Sequence, residues 1–334
     1  LTKVGGTGIL ARFDGSKAGP DLLFRCELDA LPIEEENTFQ HRSTVEGRSH
    51  KCGHDGHMTV LCGLAERLAA DRPKQGRVWL LFQPAEENGM GAKAVLADPR
   101  VADLRFDRVF ALHNLPGVPQ GTVRVRNNTF TAAVNSIVIQ LKGRTSHAAE
   151  PEHGINPAEA MSMIITRALA LANNVPSDPH MRVVTPVHAL LGSKDYGISA
   201  GSAEVHLTLR CWTDEDLDAL QRDVEQMAVE VARARQLELS IHYTQHFHAN
   251  QNDPDTVDLV RAAVQAAGLH LSEADHPFKW GEDFGLFTQR FPGCMFGIGA
   301  GEDTPALHNP DYDFPDAIIP HGIAVFEQVI RQSS

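Results

Sequence analysis

The 334-residue chain has no apolar run approaching the ~20 residues that a helix needs to cross a bilayer, so a transmembrane helix is not expected. It has no C-x-x-C pair. Its five cysteines, at 26, 52, 62, 211 and 294, form no regular framework, which fits a reducing compartment better than a disulfide scaffold and makes a cytoplasmic location the expectation. Positive charge is also short: the formal net charge of −13 denies the chain the basic surface that phosphate backbones require, so nucleic acid is not an expected partner. Internal repeats and low-complexity segments are missing too. A hydrophobic content of 42% marks an ordinary soluble chain, long enough for one large or two moderate domains.

What the chain does have is metal-friendly side chains on short segments that follow apolar runs. Cys52-Gly53-His54-Asp55-Gly56-His57 sets a thiol and an imidazole two residues apart, which on extended backbone points both the same way. Sulfur and nitrogen ligands suit zinc, manganese, cobalt or nickel better than calcium. The apolar spacing of Val60, Leu61, Leu64, Ala65 and Leu68 predicts a helix over roughly Met58 to Ala70 that anchors this loop. Taken alone, Cys52 reads equally as a buried thiol and His54 as a loop histidine.

The run Arg77 to Phe82 reads as a strand of a parallel sheet, with Glu86-Glu87 just beyond its end. Adjacent carboxylates repel each other. A pair of cations removes that penalty, with Glu87 as ligand and Glu86 left to handle the proton of the attacking water. Without metals, the same pair reads as an acidic turn or helix start. A third run, Arg108 to Leu112, ends in His113, where open α/β sheets hold ligands; a fourth, Cys294 to Gly299, is followed by Leu307-His308. Together these segments predict a two-metal hydrolase with Cys52, His54, Glu87, His113 and His308 as ligands.

These segments resemble the peptidase M20 family, in the branch of N-acyl-amino-acid amidohydrolases that includes hippurate and auxin-conjugate hydrolases. The pieces, in order, are Thr7-Gly8-Ile9, Leu28 to Ile33, His50 to His57, Phe82 to Glu87, Leu112-His113-Asn114, Ser146-His147-Ala148, Gly281-Glu282-Asp283-Phe284 and His308-Asn309-Pro310. The resemblance implies the same five ligands for two divalent transition-metal ions, Glu86 as general base and Asp29 as an orienting carboxylate. Where other branches carry a histidine ligand two residues before that aspartate, this chain has Glu27, which favours the amidohydrolase branch. His147, a surface-loop histidine by spacing alone, corresponds to the family histidine that reaches a neighbouring subunit's active site as an oxyanion donor. Arg210 resembles the arginine that receives a substrate carboxylate, though it reads as well as a partly exposed strand residue. Asn156 stands before Pro157 where the family commonly has aspartate. It is carried over on the substrate side, and its plainest use is as N-cap of the next helix.

The expected architecture is α/β: a mixed sheet with flanking helices over 1–117 and 249–334 as the catalytic metal-binding domain. An inserted ferredoxin-like α+β domain over 118–248, reading βαββαβ, is expected to serve as lid and dimerisation domain. Asn250 to Pro254 reads as the return hinge. The expected substrate is an N-acyl amino acid, hydrolysed by a homodimer or higher oligomer. A dipeptidase or N-carbamoyl-amino-acid hydrolase with the same site is the alternative, and a noncatalytic metal-stabilised binding protein is the alternative from another class. Phe278, Lys279 and Trp280 are candidates for an acyl pocket and read equally as a loop. His242, His246 and His248 alternate along one strand and could bind a metal ion, but with no carboxylate or cysteine beside them in the sequence they read as a solvated face. The chain starts at Leu1 without methionine, and the resemblance implies several dozen mostly helical residues before Val4, so a signal peptide is left open.

Overall fold

The computed structural model describes residues 1–333. From the N-terminus the elements are β1 (Thr2–Val4), β2 (Gly8–Asp14), β3 (Asp21–Glu27), α1 (His54–Ala70), β4 (Arg77–Gln83), α2 (Gly91–Ala97), β5 (Arg108–Pro116), β6 (Val123–Val125) and β7 (Asn128–Thr131). Then come β8 (Ala133–Lys142), β9 (Ser146–His147), α3 (Ala158–Leu169), β10 (Arg182–Leu191), β11 (Ile198–Ser199), β12 (Ser202–Cys211), α4 (Asp214–Ala234) and β13 (Glu238–Phe247). The chain closes with β14 (Asn250–Asn252), α5 (Pro254–Ala266), β15 (Leu271–Glu273), α6 (Gly285–Thr288), β16 (Gly293–Gly301) and α7 (Ile319–Gln332).

The chain divides into two units. The larger comprises Leu1–Phe130, Asn250–Pro277 and the residues from Glu282 onward; the smaller comprises Thr131–Ala249 and Phe278–Gly281. Residues 118–130, expected in the inserted domain, therefore belong to the larger unit. The physical reason is pairing: β6 runs antiparallel to β16 and parallel to β15 in the main sheet, and β7 pairs with β14.

The larger unit is built on an eight-stranded mixed sheet in the order β1-β2-β4-β3-β5-β16-β6-β15. Its centre, β4-β3-β5-β16, is parallel, with β3 paired to both β4 and β5 and β16 paired to β5. Every residue of β3 is buried, as expected of a strand covered on both faces. Phe24 of β3 stacks on Phe110 at 5.1 Å and meets the edge of Phe326 from α7 at 4.9 Å. Val60, Leu61, Leu64 and Leu68 of α1 and Val325, Phe326 and Val329 of α7 complete that core. The parallel strands deliver their carboxyl ends to one edge of the sheet, and the loops that leave there carry the site.

Helix α1 starts at His54, four residues before the expected Met58. Gly53, its N-cap, has φ of 91°, and a Cβ there would come within 2.7 Å of the Asn114 side chain. Cys52 and His54 are thus brought together by a left-handed glycine turn rather than by extended backbone, and no other residue type fits that turn without strain.

The smaller unit has a four-stranded antiparallel sheet in the order β10-β12-β8-β13, with β8-α3-β10-β12-α4-β13 connectivity, which is the ferredoxin-like βαββαβ pattern. Ile137, Ile139 and Leu141 of β8 pack with Leu207 and Leu209 of β12 against Ile164 of α3 and Leu220, Val224 and Val231 of α4. Thr213 caps α4 by accepting from the Asp216 amide, and Asp214, Glu215 and Asp216 complement the helix dipole.

Phe24→Ala removes the ring at the centre of the larger unit's core and is expected to destabilise that unit by about 3–5 kcal/mol. Urea unfolding checks this, and a loss below about 1 kcal/mol would place the core elsewhere.

Candidate metal centre

Each loop at the carboxyl edge contributes a side chain. Asp29 follows β3, Glu86 and Glu87 follow β4, His113 lies inside β5, and His308 follows β16; Cys52 and His54 stand at the start of α1. One ligand atom from each of Cys52, His54 and His113 lies within 4.8 Å of the others, as do those of Cys52, Glu87 and His308 and those of His54, Glu86 and Glu87. The sulfur of Cys52 is 3.6 Å from His113 Nε2, and His308 Nε2 is 3.7 Å from Glu87 Oε2. His54 Nε2 stands 3.9 Å from a carboxylate oxygen of both Glu86 and Glu87.

The two buried imidazoles are oriented in the same way. His54 Nδ1–H donates to the Asp29 carbonyl at 2.9 Å and His113 Nδ1–H donates to the Asn114 carbonyl at 2.9 Å, which turns both Nε2 lone pairs toward the cluster. Asp29 also accepts from the Glu87 amide at 2.9 Å, so one residue aims both a histidine and the glutamate pair. Two non-glycine residues at the site adopt left-handed backbone: Ala85 with φ of 56°, directly before Glu86, and His308 with φ of 67°. Such conformations persist where surrounding structure enforces them.

The donor set fits a pair of cations. His54 Nε2, Glu87 Oε1 and Asp29 Oδ1 are buried with no hydrogen-bond partner among the described residues. Protonation is also arranged badly for a bare protein. Burial, with Glu282 and Asp283, lifts Glu86 well above the carboxylate range, and burial lifts Glu87 to about 6 against the pull of His54. Burial and the carboxylates of Glu87 and Glu86 push the Cys52 thiol well up. Burial opposes charge on His54, yet the hydrogen bond to Asp29 and the carboxylates of Glu27 and Glu87 raise it to about 9, while burial and His57 hold His113 down to about 3. Divalent charge would reverse the preferences of Glu86, Glu87, Cys52 and His54, favouring carboxylates, thiolate and neutral imidazole, while His113 is already held neutral as a ligand must be. The family model described as peptidase family M20/M25/M40 matches residues 23–332.

The chain belongs to this family. It is 30% identical over 321 residues to an N-acetyldiaminopimelate deacetylase of Geobacillus sp., covering 95% of this chain and 84% of the relative. It is 29% identical over 328 residues to an N-acetyl-L-cysteine deacetylase of Bacillus subtilis, covering 97% and 77% respectively. The crystal structure of a dinuclear metal-binding M20 peptidase of Bacillus subtilis superposes with a TM-score of 0.81 at 27% identity, covering 97% of this chain and 84% of that one. The M20 fold, with its large mixed sheet and flanking helices, is thereby shared, and it is a fold that supports two divalent metal ions.

Three residues singled out in the sequence lie in the smaller unit. His147 is exposed in β9, paired with Ile198 of β11. Asn156 accepts from the Ala158 amide at 2.9 Å and donates to Ser199 Oγ at 3.0 Å, so it supports the start of α3 and the β11 turn. Arg210, in β12, donates to the Lys279 carbonyl at 2.8 Å, and burial lowers its pKa. Lys279 in turn donates to Asn174 at 2.6 Å.

Sequence reading missed the buried charges beneath the cluster. Arg25 is 1% exposed and is bonded to Glu27, to Glu282 at 2.9 Å and to Asp283 at 2.5 Å. Glu27 meets His57 Nδ1 at 2.6 Å, His57 Nε2 meets Asn114 at 2.6 Å, and Asn114 donates to the Tyr312 hydroxyl at 2.5 Å. The available signal was an arginine and a glutamate inside the apolar strand Leu22 to Glu27, because a central parallel strand admits charge only with a buried partner.

Arg25→Met would leave Glu27, Glu282 and Asp283 without their counter-charge, and a loss of about 3–5 kcal/mol is expected. Chemical unfolding of the metal-loaded protein measures it; unchanged stability would contradict the network.

Proposed function

We propose that the cluster hydrolyses the amide bond of N-acyl amino acids, releasing a carboxylic acid and a free amino acid. The observation that carries this is Glu86 beside Glu87: one carboxylate joins the ligand cluster and its neighbour, with an oxygen 3.4 Å from the Asp283 amide, is left for proton transfer. Cys52, His54, Glu87, His113 and His308 would hold two divalent transition-metal ions, zinc, manganese, cobalt or nickel, which supply Lewis-acid polarisation of the acyl carbonyl and of the attacking water. Glu86 takes the proton of that water as its oxygen adds to the carbonyl carbon, then returns the proton to the departing amine nitrogen. Asp29 holds His54 and the Glu86-Glu87 turn in place.

Family membership and the deacetylase relatives support a small acyl group on an amino acid with a free carboxylate. His147 is assigned the oxyanion donor role, Arg210 the substrate carboxylate and Asn156 a supporting place on the substrate side, as in the family pattern. Five free cysteines support a cytoplasmic enzyme. The smaller unit is assigned lid and dimerisation roles. Supporting the latter, β10 is an edge strand with Val187 59% and Leu190 55% exposed, a surface that a second copy would cover.

The test is release of amino acid from N-acetyl, N-benzoyl, N-indoleacetyl and N-carbamoyl amino acids and from dipeptides, by protein reloaded with each metal. Metal-dependent release from N-acyl amino acids is expected; turnover restricted to dipeptides or carbamoyl compounds would move the protein to the alternative substrate class. Glu86→Gln is expected to lower kcat by about 10²–10⁴-fold with metal content unchanged, whereas a binding protein would show no turnover to lose. For assembly, Val187→Glu with Leu190→Glu is expected to convert a dimer to a monomer in light scattering. A monomeric wild-type chain would refute that interface.

A further inference from the structure

His246 and His248 read from the sequence as part of a solvated strand face because no carboxylate stands near them in the chain. The fold supplies one. Asp214, the first residue of α4, brings an Oδ1 to 3.0 Å from His248 Nδ1, and the rings of His246 and His248 lie 4.3 Å apart. One ligand atom from each of Asp214, His246 and His248 falls within 4.8 Å of the other two. His242, on the regular part of β13, is not in this group.

We propose that Asp214, His246 and His248 form a second site for a divalent transition-metal ion, within the smaller unit and sharing no ligand with the cluster around Cys52. Two imidazoles and a carboxylate suit zinc, nickel or copper and not the oxygen-seeking calcium or magnesium. Three protein ligands leave the fourth tetrahedral position to water. His246 is exposed and the other two ligands are half-buried, so an ion has access without unfolding.

Two features of the surroundings agree with this assignment. The N-cap of α4 is provided by Thr213, whose hydroxyl accepts from the Asp216 amide at 3.1 Å, while Asp214 Oδ1 faces the end of β13, where it also accepts from the Ala249 amide at 3.4 Å. Strand β13 also departs from regular pairing where the histidines begin: its register with β8 breaks between Thr244 and Phe247, and Gln245 has φ of 55°. Bulges of this kind re-aim side chains, and here the bulge immediately precedes His246. The nearby carboxylates of Glu215 and Asp216 add favourable charge, partly answered by His180 at 3.2 Å from Asp216. A bound ion would tie the end of β13 to the start of α4, just ahead of Ala249, where the unit's main segment ends.

The experiment counts zinc. Metal-stripped protein is equilibrated at micromolar free zinc and bound zinc is measured by elemental mass spectrometry. The chains compared are the wild type, His246→Gln with His248→Gln, and both of these in a Cys52→Ser, His54→Gln background that disables the main centre. Loss of one zinc per chain on changing the two histidines, in either background, is expected. Zinc should raise the unfolding temperature of the Cys52→Ser, His54→Gln protein and lose that effect when His246 and His248 are also changed. Asp214→Asn, which keeps both histidines and the Thr213 cap, must lose the same equivalent if it folds. Equal zinc counts with and without the histidines, or full zinc retention in folded Asp214→Asn, would overturn the proposal.

Discussion

Arg25 places a full positive charge where no water reaches it, and the larger unit is organised around keeping that charge satisfied. Burial alone would strip the proton from most cations, yet Glu27, Glu282 and Asp283 hold this guanidinium charged against desolvation. The same contacts set the frame of the site. Asp283 accepts from Arg25, from Gln83 at the end of β4 and from the Ala92 amide at the start of α2. Those bonds tie down both ends of the loop that carries Glu86 and Glu87. Glu27 passes the constraint to His57, then to Asn114, next to His113. The geometry of the Cys52 cluster therefore rests on an ion network that contributes none of the proposed ligands.

That network holds more carboxyl groups than cations. Glu27 keeps its proton affinity well below the usual value because Arg25 and His57 outweigh the burial that would raise it, whereas burial and Glu282 lift Asp283 to about 7 despite Arg25. One guanidinium cannot neutralise every carboxylate in reach. The surplus lies toward Glu86 and Glu87, on the side where cations would bind, so the electrostatics of the floor and the demands of the cluster point in the same direction. Apolar groups in place of such buried charge are often neutral or stabilising, so the presence of this many buried carboxylates is understandable when divalent cations complete the balance.

Glu86, Glu87 and His113 are legible because each sits where an apolar run ends, and strand ends in a parallel sheet converge on one edge. Cys52 and His54 stand out by their two-residue spacing before a helix and His308 by following the last run at a short remove, and the fold brings all six together. The floor was less legible: Arg25 and Asp283 are 258 residues apart, and no local pattern announces a pairing of that range. Nor did periodicity reveal that α1 begins at His54, since polar residues occupy its first turn and the apolar face starts only later. The stretch 118–130 was misplaced for a related reason. Its strands are short, and their membership is decided by partners far along the chain, β15 and β16 for β6 and β14 for β7.

Backbone strain shows what convergence on one edge requires. Glycine at 53 accepts a left-handed turn without penalty, and it is needed because Asn114 fills the space a side chain would take. Ala85 and His308 adopt the same region with a Cβ present, at about 1–3 kcal/mol each by the usual scale for such strain. At 308 glycine is not an option if the imidazole is to serve as a ligand, and the amide of His308 is pinned to the Lys51 carbonyl at 2.8 Å. Lys51 is itself buried against Glu35 at 2.6 Å and the Tyr312 carbonyl at 2.7 Å. Strain at the ligand loop is thus carried by a second buried cation, as the Glu86-Glu87 loop is carried by the first. Two buried cations, each surrounded by acceptors from distant segments, hold the loops in conformations that local sequence would not choose.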